Sequence, residues 1–228
     1  IVPGFASMYR GEVVAQIDID APGLSIEDFN MTFEVHAKRL GRIAFVPGAA
    51  HAVTQDPDTL RGYAKQVFRW GLGYWQTLRR HRPTPTLFWA AVGLASFELI
   101  VTNLLLVVLT PLAAVAGAAA GLAALGIDPG GSMSATAQLL PFGALLLGVL
   151  AADLALTVFA AIVSRRAELL LLAPFFPVVR LVDAVMGLRA MVAALRRPSD
   201  GAWRSPDRRA AAQAPMPRIA VLASAEPS

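Results

Sequence analysis

The sequence predicts a polar α/β region followed by an α-helical membrane region, and three observations predict it. Hydrophobic residues make up 56% of the 228 residues and charged ones 16%, a balance outside that of a soluble domain. No Lys or Arg occurs between Arg82 and Arg165. The carboxylates, arginines and aromatic rings best suited to chemistry gather before that gap, between Ile26 and Arg82.

Cysteine is absent, which excludes a disulfide framework and a thiolate metal site. The formal net charge is only +4. The arginines flank apolar segments with little aromatic interleaving, which fits the cytoplasmic edge of a membrane and argues for no nucleic-acid partner. The first residues already read as a folded interior, so a further N-terminal part is expected before Ile1. No secretory signal is visible at this start.

Residues 1–20 read as a loop feeding a helix, with a glycine turn at Gly4 inside Pro3 to Ser7, followed by Met8, Tyr9 and Arg10. Asp18-Ile19-Asp20 has the form of a metal-binding Asp-x-Asp. It stands just before Ala21-Pro22-Gly23, however, and reads as a solvated turn, so no metal ligand is assigned in this chain. Ser25 can cap a helix starting near Ile26, with Asp28 at capping-box spacing, so Glu27 and Asp28 suit a helix N-terminus. Phe29, Phe33, Val35 and Leu40 roughly follow helical spacing, and Gly41 is the expected stop. Ile43-Ala44-Phe45-Val46 then reads as a short buried strand ended by Pro47-Gly48, which makes the region α/β.

Asp56-Pro57 and Thr59 lead into a helix from about Leu60 to Arg80. Its aromatic side carries Tyr63, Trp70, Tyr74 and Trp75. Lys65, Arg69, Arg79 and Arg80 stand elsewhere, as in a helix lying along a membrane surface. Gly71 and Gly73 are expected to loosen it just after Trp70. His36 and His51 read as surface or satisfied groups, and His81 as part of a basic collar with Arg79, Arg80 and Arg82.

Leu87 to Leu109 is long enough to cross a core of roughly 30 Å at about 1.5 Å per residue. Gln138 to Val163 supplies a second span, and Asp128 to Ser132 a turn between them. The basic clusters at both ends then lie on the cytoplasmic side. Dividing 86–127 into two short helices is the alternative. Glu98 and Asp153 fall inside spans, where a carboxyl is expected to be neutral or to face protein. Glu168 to Leu195, broken by Pro174 and Pro177, reads as an interfacial or hairpin element that keeps the C-terminus cytoplasmic. The tail from about Ala210 reads as disordered.

The order of Ile26-Glu27-Asp28, then Gln66-x-x-Arg69-Trp70, then membrane helices resembles the C-terminal half of membrane-bound family 2 glycosyltransferases. Cellulose synthase, hyaluronan synthase and poly-N-acetylglucosamine synthase are similar in pattern, and the likeness runs from about Pro3 to Arg82. The resemblance implies that 1–58 is the C-terminal part of a GT-A-type catalytic domain and that 59–85 is an interfacial helix carrying the motif. It further implies a transmembrane region at 86–164, an interfacial or hairpin element at 165–197 and a cytoplasmic tail at 198–228.

The resemblance also implies roles. Asp28, with Glu27 beside it, matches the catalytic base that takes the proton of an acceptor hydroxyl. Gln66, Arg69 and Trp70 match the motif at the acceptor and donor-diphosphate site, and Gly4 to Ser7 the segment that approaches the acceptor sugar. A divalent metal, Mg or Mn, is implied for the complete enzyme, with ligands mostly upstream of this stretch. The implied partners are a nucleotide-sugar donor, a saccharide or lipid acceptor and the membrane. The implied location is the cell membrane, multi-pass, with the catalytic part cytoplasmic. This stretch by itself is expected to be inactive.

Physical chemistry agrees with those roles. A sugar hydroxyl is a poor nucleophile, and a positioned carboxylate contributes about 10²- to 10⁴-fold as general base. A guanidinium fork suits a departing diphosphate, and an indole offers an apolar face to a pyranose ring. Each group also has a plainer role, Asp28 as a helix cap and Arg69 with Trp70 as an interfacial anchor. A non-catalytic membrane scaffold or transporter subunit, docking a partner through its polar segment, is the rival reading.

Overall fold

A computed structural model describes residues 7–19, 21–46, 57–139 and 142–196. Seven α-helices lie among the described residues: α1 Gly11–Val14, α2 Glu27–Ala37, α3 Leu60–Arg80, α4 Leu87–Ala124, α5 Gly131–Leu139, α6 Phe142–Ser164 and α7 Phe176–Arg196. A 3-10 helix, Ala167–Phe175, leads into α7.

No strand occurs among the described residues, and this overturns the α/β expectation. Residues 43–46 are irregular and outward-facing, with Phe45 89% exposed. A strand needs a hydrogen-bonded neighbour, and four apolar residues do not supply one by composition. Pro47, Gly48, Gly4, His51, Asp20 and the tail from 197 lie outside the described residues.

Local chemistry explains the helix bounds. Glu27 and Asp28 sit in the first turn of α2, where negative charge meets the positive end of the helix dipole. The cap position is Ile26, and no side chain caps α2. The helix closes early: Arg39 turns left-handed at φ 54°, while Leu40 N–H donates to the Val35 carbonyl at 3.0 Å. That is the pairing of a Schellman closure, with an arginine in the position usually held by glycine. Thr59 caps α3 by accepting from Gly62 N–H at 3.1 Å, and Thr86 accepts from Trp89 N–H at the start of α4. α3 runs unbroken through Gly71 and Gly73.

α4 and the continuous stretch Ala167–Arg196 are long and apolar enough to cross a membrane. Their side chains are arranged inside out. On α4, Ser96 and Asn103 are buried whereas Leu94, Phe97, Leu104 and Val108 are exposed. On α7, Ala184, Ala190 and Ala194 are fully buried and Val178 and Leu195 face outward. Small and polar groups toward protein, with large apolar groups outward, is the pattern of helices packed within lipid.

α3 packs along α7, which in turn packs on α4, and α2 docks on another side of α3. Tyr74 of α3 also meets Ser96 of α4, hydroxyl to hydroxyl, at 2.6 Å. Tyr63 donates to Asp183 Oδ1 at 2.8 Å, Gly71 packs on Ala190, and Arg79 donates to the Ala194 carbonyl. The contacts between α3 and α7 run in the same order along both helices, so the two lie parallel.

Candidate active site

Gln66, Arg69 and Trp70 stand three and four residues apart, so a helix puts them on one face. Continuing that face at the same spacing reaches Gly73, Gln76 and Thr77. Those three are the buried residues of α3, and Gly73 and Gln76 receive the residues that lead into α2. Ser25 N–H donates to Gln76 Oε1 at 3.0 Å. Ile26 lies so close to Gly73 that a Cβ there would stand 2.8 Å from the Ile26 Cβ. The rings of Phe29 and Tyr74 meet edge to face, centroids 5.7 Å apart.

Glu27 and Asp28 therefore stand on the turn of α2 that touches α3 one helical turn beyond Arg69 and Trp70, about 6 Å along the axis. Glu27 is exposed and Asp28 half-buried. Asp28 Oδ1 accepts from the Phe29 N–H at 2.8 Å, and its charge reaches Tyr9. The Tyr9 hydroxyl is held above its ordinary value of 10, first by burial and then by the Asp28 carboxylate, so it stays protonated and able to donate. Ser7, half-buried, lies two residues before Tyr9. Gly4 lies outside the described residues.

Trp70 is 48% exposed, which leaves ring face open for an apolar ligand surface. Arg69 is half-buried, and its Nε is buried without a hydrogen-bond partner. A buried guanidinium N–H left unpaired is costly.

From Asn30 to Glu34 of α2 a polar knot fixes the helix to the α3–α4 corner. Asn30, fully buried, donates from Nδ2 to the Asp18 carbonyl at 2.9 Å. Its Oδ1 therefore faces His81 Nε2 at 2.9 Å, and His81 is the donor. Burial chiefly pushes the His81 pKa below 6.5; Glu34 acts upward, and Arg80 and Lys38 downward. His81 is thus a neutral structural group, not a cation of the basic collar. Asp18 pairs with Arg80 at 2.5 Å, and Glu34, buried, pairs with Lys38. Phe33, 1% exposed, packs against Phe88, Trp89 and His81.

Among the described residues no group of three or more His, Asp or Glu is placed to hold a metal ion. Sequence reasoning missed Tyr9, Gly73 and Gln76 as parts of the site. The signal for the last two was present: both continue the spacing of Gln66, Arg69 and Trp70.

No curated protein and no solved structure matches the chain. The family model described as glycosyl transferase family group 2 matches residues 1–127, more than half of the 228, and on that ground the chain belongs to glycosyl transferase family group 2.

Proposed function

We propose that this chain forms the acceptor side and membrane anchor of an inverting glycosyltransferase that works at the cytoplasmic membrane face on a polysaccharide or glycolipid acceptor. Family membership gives the general activity, transfer of a sugar from a nucleotide-sugar donor to an acceptor. The reading takes this stretch as the C-terminal part of the catalytic domain, as in the cellulose synthase and hyaluronan synthase pattern.

In the proposed step Asp28 takes the proton from an acceptor hydroxyl. The oxygen attacks the anomeric carbon, a C–O bond forms, and the bond from that carbon to the diphosphate oxygen breaks. The nucleoside diphosphate leaves with the electron pair, and its growing charge suits the guanidinium of Arg69. Trp70 offers its exposed face to a sugar ring, and Gln66, one turn away, supplies an amide for sugar hydroxyls. The Tyr9 hydroxyl, protonated, stands within electrostatic reach of Asp28. The divalent cation that the resemblance implies finds no donor set among the described residues.

The observation that carries the reading is the docking of the Asp28 turn on α3, through Ser25, Ile26 and Phe29, beside the turn that bears Arg69 and Trp70. The test is Asp28→Asn in the complete enzyme. Sugar transfer is expected to fall about 10²- to 10⁴-fold, the span of a positioned general base, while nucleotide-sugar binding by calorimetry stays intact. Near-normal turnover would remove the base assignment. A complete protein without any transfer, in which Arg69→Ala and Trp70→Ala weaken only membrane assembly, would favour the scaffold reading.

A further inference from the structure

The family match ends at residue 127, yet α3 is held by a helix beyond it. α7 grips α3 at both ends. Near the start, Tyr63 donates to Asp183 at 2.8 Å. Near the end, the Arg79 guanidinium donates to the Ala194 carbonyl in the last turn of α7, where orphan carbonyls and the helix dipole favour a cation.

Between these points the surfaces are small. A Cβ on Gly71 would stand 3.0 Å from Ala190 Cβ and 3.9 Å from Gly187 Cα. Gly187 in turn admits Asn103 of α4, whose Nδ2 would lie 2.6 Å from an added Cβ. Close backbone approach of this kind lets two helices slide, because nothing bulky interlocks. The polar contacts at the two ends are what fix their register.

We infer that Asp183 is a positioning residue for the candidate active site, acting through Tyr63 to set where α3 presents Gln66, Arg69 and Trp70 to the Asp28 turn. Tyr63 is three residues before Gln66, one turn away on the same helix. Its hydroxyl is tied to α7, whereas Gly73 and Gln76 tie α3 to α2. Losing the Tyr63–Asp183 bond frees the motif end of α3 while leaving the α2 contacts in place. The inference rests on the proposed transfer reaction for its kinetic arm only.

The test uses the complete protein in lipid nanodiscs. Tyr63→Phe and Asp183→Ala are each expected to lower kcat/KM about tenfold or more, since displacement by about 1 Å can cost 10²-fold. The double variant should be no worse than either single one, because residues joined in one bond are not additive. Asp183→Asn keeps an acceptor oxygen and should restore activity to within about twofold of the parent, a rescue expected of a retained hydrogen bond. A second arm needs no activity. The chain has no cysteine, so Gly71→Cys with Ala190→Cys gives a single possible disulfide across α3 and α7, whose ordinary Cβ–Cβ spacing of about 3.8 Å needs the 3.0 Å approach there to open by less than about 1 Å. Its formation rate should fall severalfold when Tyr63→Phe is added, and the closed disulfide should restore transfer to that variant.

Full activity in Tyr63→Phe, additive losses in the double variant, or a cross-linking rate indifferent to Tyr63 would overturn the inference. If the parent protein transfers no sugar while the cross-linking rate still depends on Tyr63, the transfer reaction fails and the positioning of α3 by Asp183 stands.

Discussion

Gly73 is the point at which a single methyl group should separate activity from stability. Replacing it by alanine puts a Cβ 2.8 Å from Ile26 Cβ, 2.9 Å from Cγ1 and 3.1 Å from Cδ1. Ordinary carbon contacts lie at about 3.5–4.0 Å, so α2 must retreat by roughly 0.7–1.2 Å. The Ile26 Cβ is fixed to the backbone, and rotating the side chain does not clear it. Overpacking of this size costs about 1–3 kcal/mol, against about 1 kcal/mol gained from the better helix propensity of alanine.

The fold should therefore lose no more than about 2 kcal/mol, the difference between those two estimates. Retreat of the Asp28 turn by the same distance should lower kcat about 10²-fold, or roughly 2.7 kcal/mol of barrier. The assay is sugar transfer from a radiolabelled nucleotide sugar by the complete enzyme, with thermal melting run alongside. Gly93→Ala on α4 is the control, because a Cβ there meets nothing within 4 Å, and it should leave kcat unchanged. A Gly73→Ala enzyme that keeps kcat within about threefold of the parent would refute the claim that α2 places the base against α3, given the 10²-fold expected of such a shift.

Two further outcomes follow from the same geometry. Burial lowers the His81 pKa below 6.5, so the folded chain binds fewer protons there than the unfolded one. The stability from this group is complete above about pH 6.5 and is lost as pH falls through the depressed value; melting temperature should drop below pH 6.5 in the parent and less steeply in His81→Gln. Thr59→Ala removes the side-chain acceptor of Gly62 N–H and should cost about 1 kcal/mol, read as earlier amide exchange in the first turn of α3 with the rest of the helix unchanged.

The bounds of α3 were legible because its punctuation is local. Pro57 and Thr59 mark the start, and the arginines at 79 and 80 mark the end. The spacing of Gln66, Arg69 and Trp70 was equally readable, since a helix converts such offsets into one face. The stop of α2 was not, because Arg39 adopts the left-handed conformation that the sequence assigns to Gly41. The strand at 43–46 failed for a different reason: its existence depends on a partner that no local pattern encodes.

The two glycines of α3 were misread as weak points, although each marks a close helix contact, Gly73 with Ile26 and Gly71 with Ala190. Local sequence cannot tell a gap from a contact. The Tyr63–Asp183 bond spans 120 positions, and an apolar helix face has the same composition whether lipid or another helix covers it.

The 38 residues of α4 extend about 57 Å at about 1.5 Å per residue. A hydrocarbon slab of about 30 Å would accommodate that length only at a tilt of about 58°, beyond the roughly 40° that such helices reach. If α4 crosses such a slab, the portion after Pro111 extends beyond the acyl chains. That portion is mostly alanine and glycine, with Ala116 and Ala119 shut away from solvent and α5 folded back along it. Its narrow side chains let neighbouring backbones approach one another, and a stretch that emerged from the oily layer would there be steadied by protein, as a short stalk.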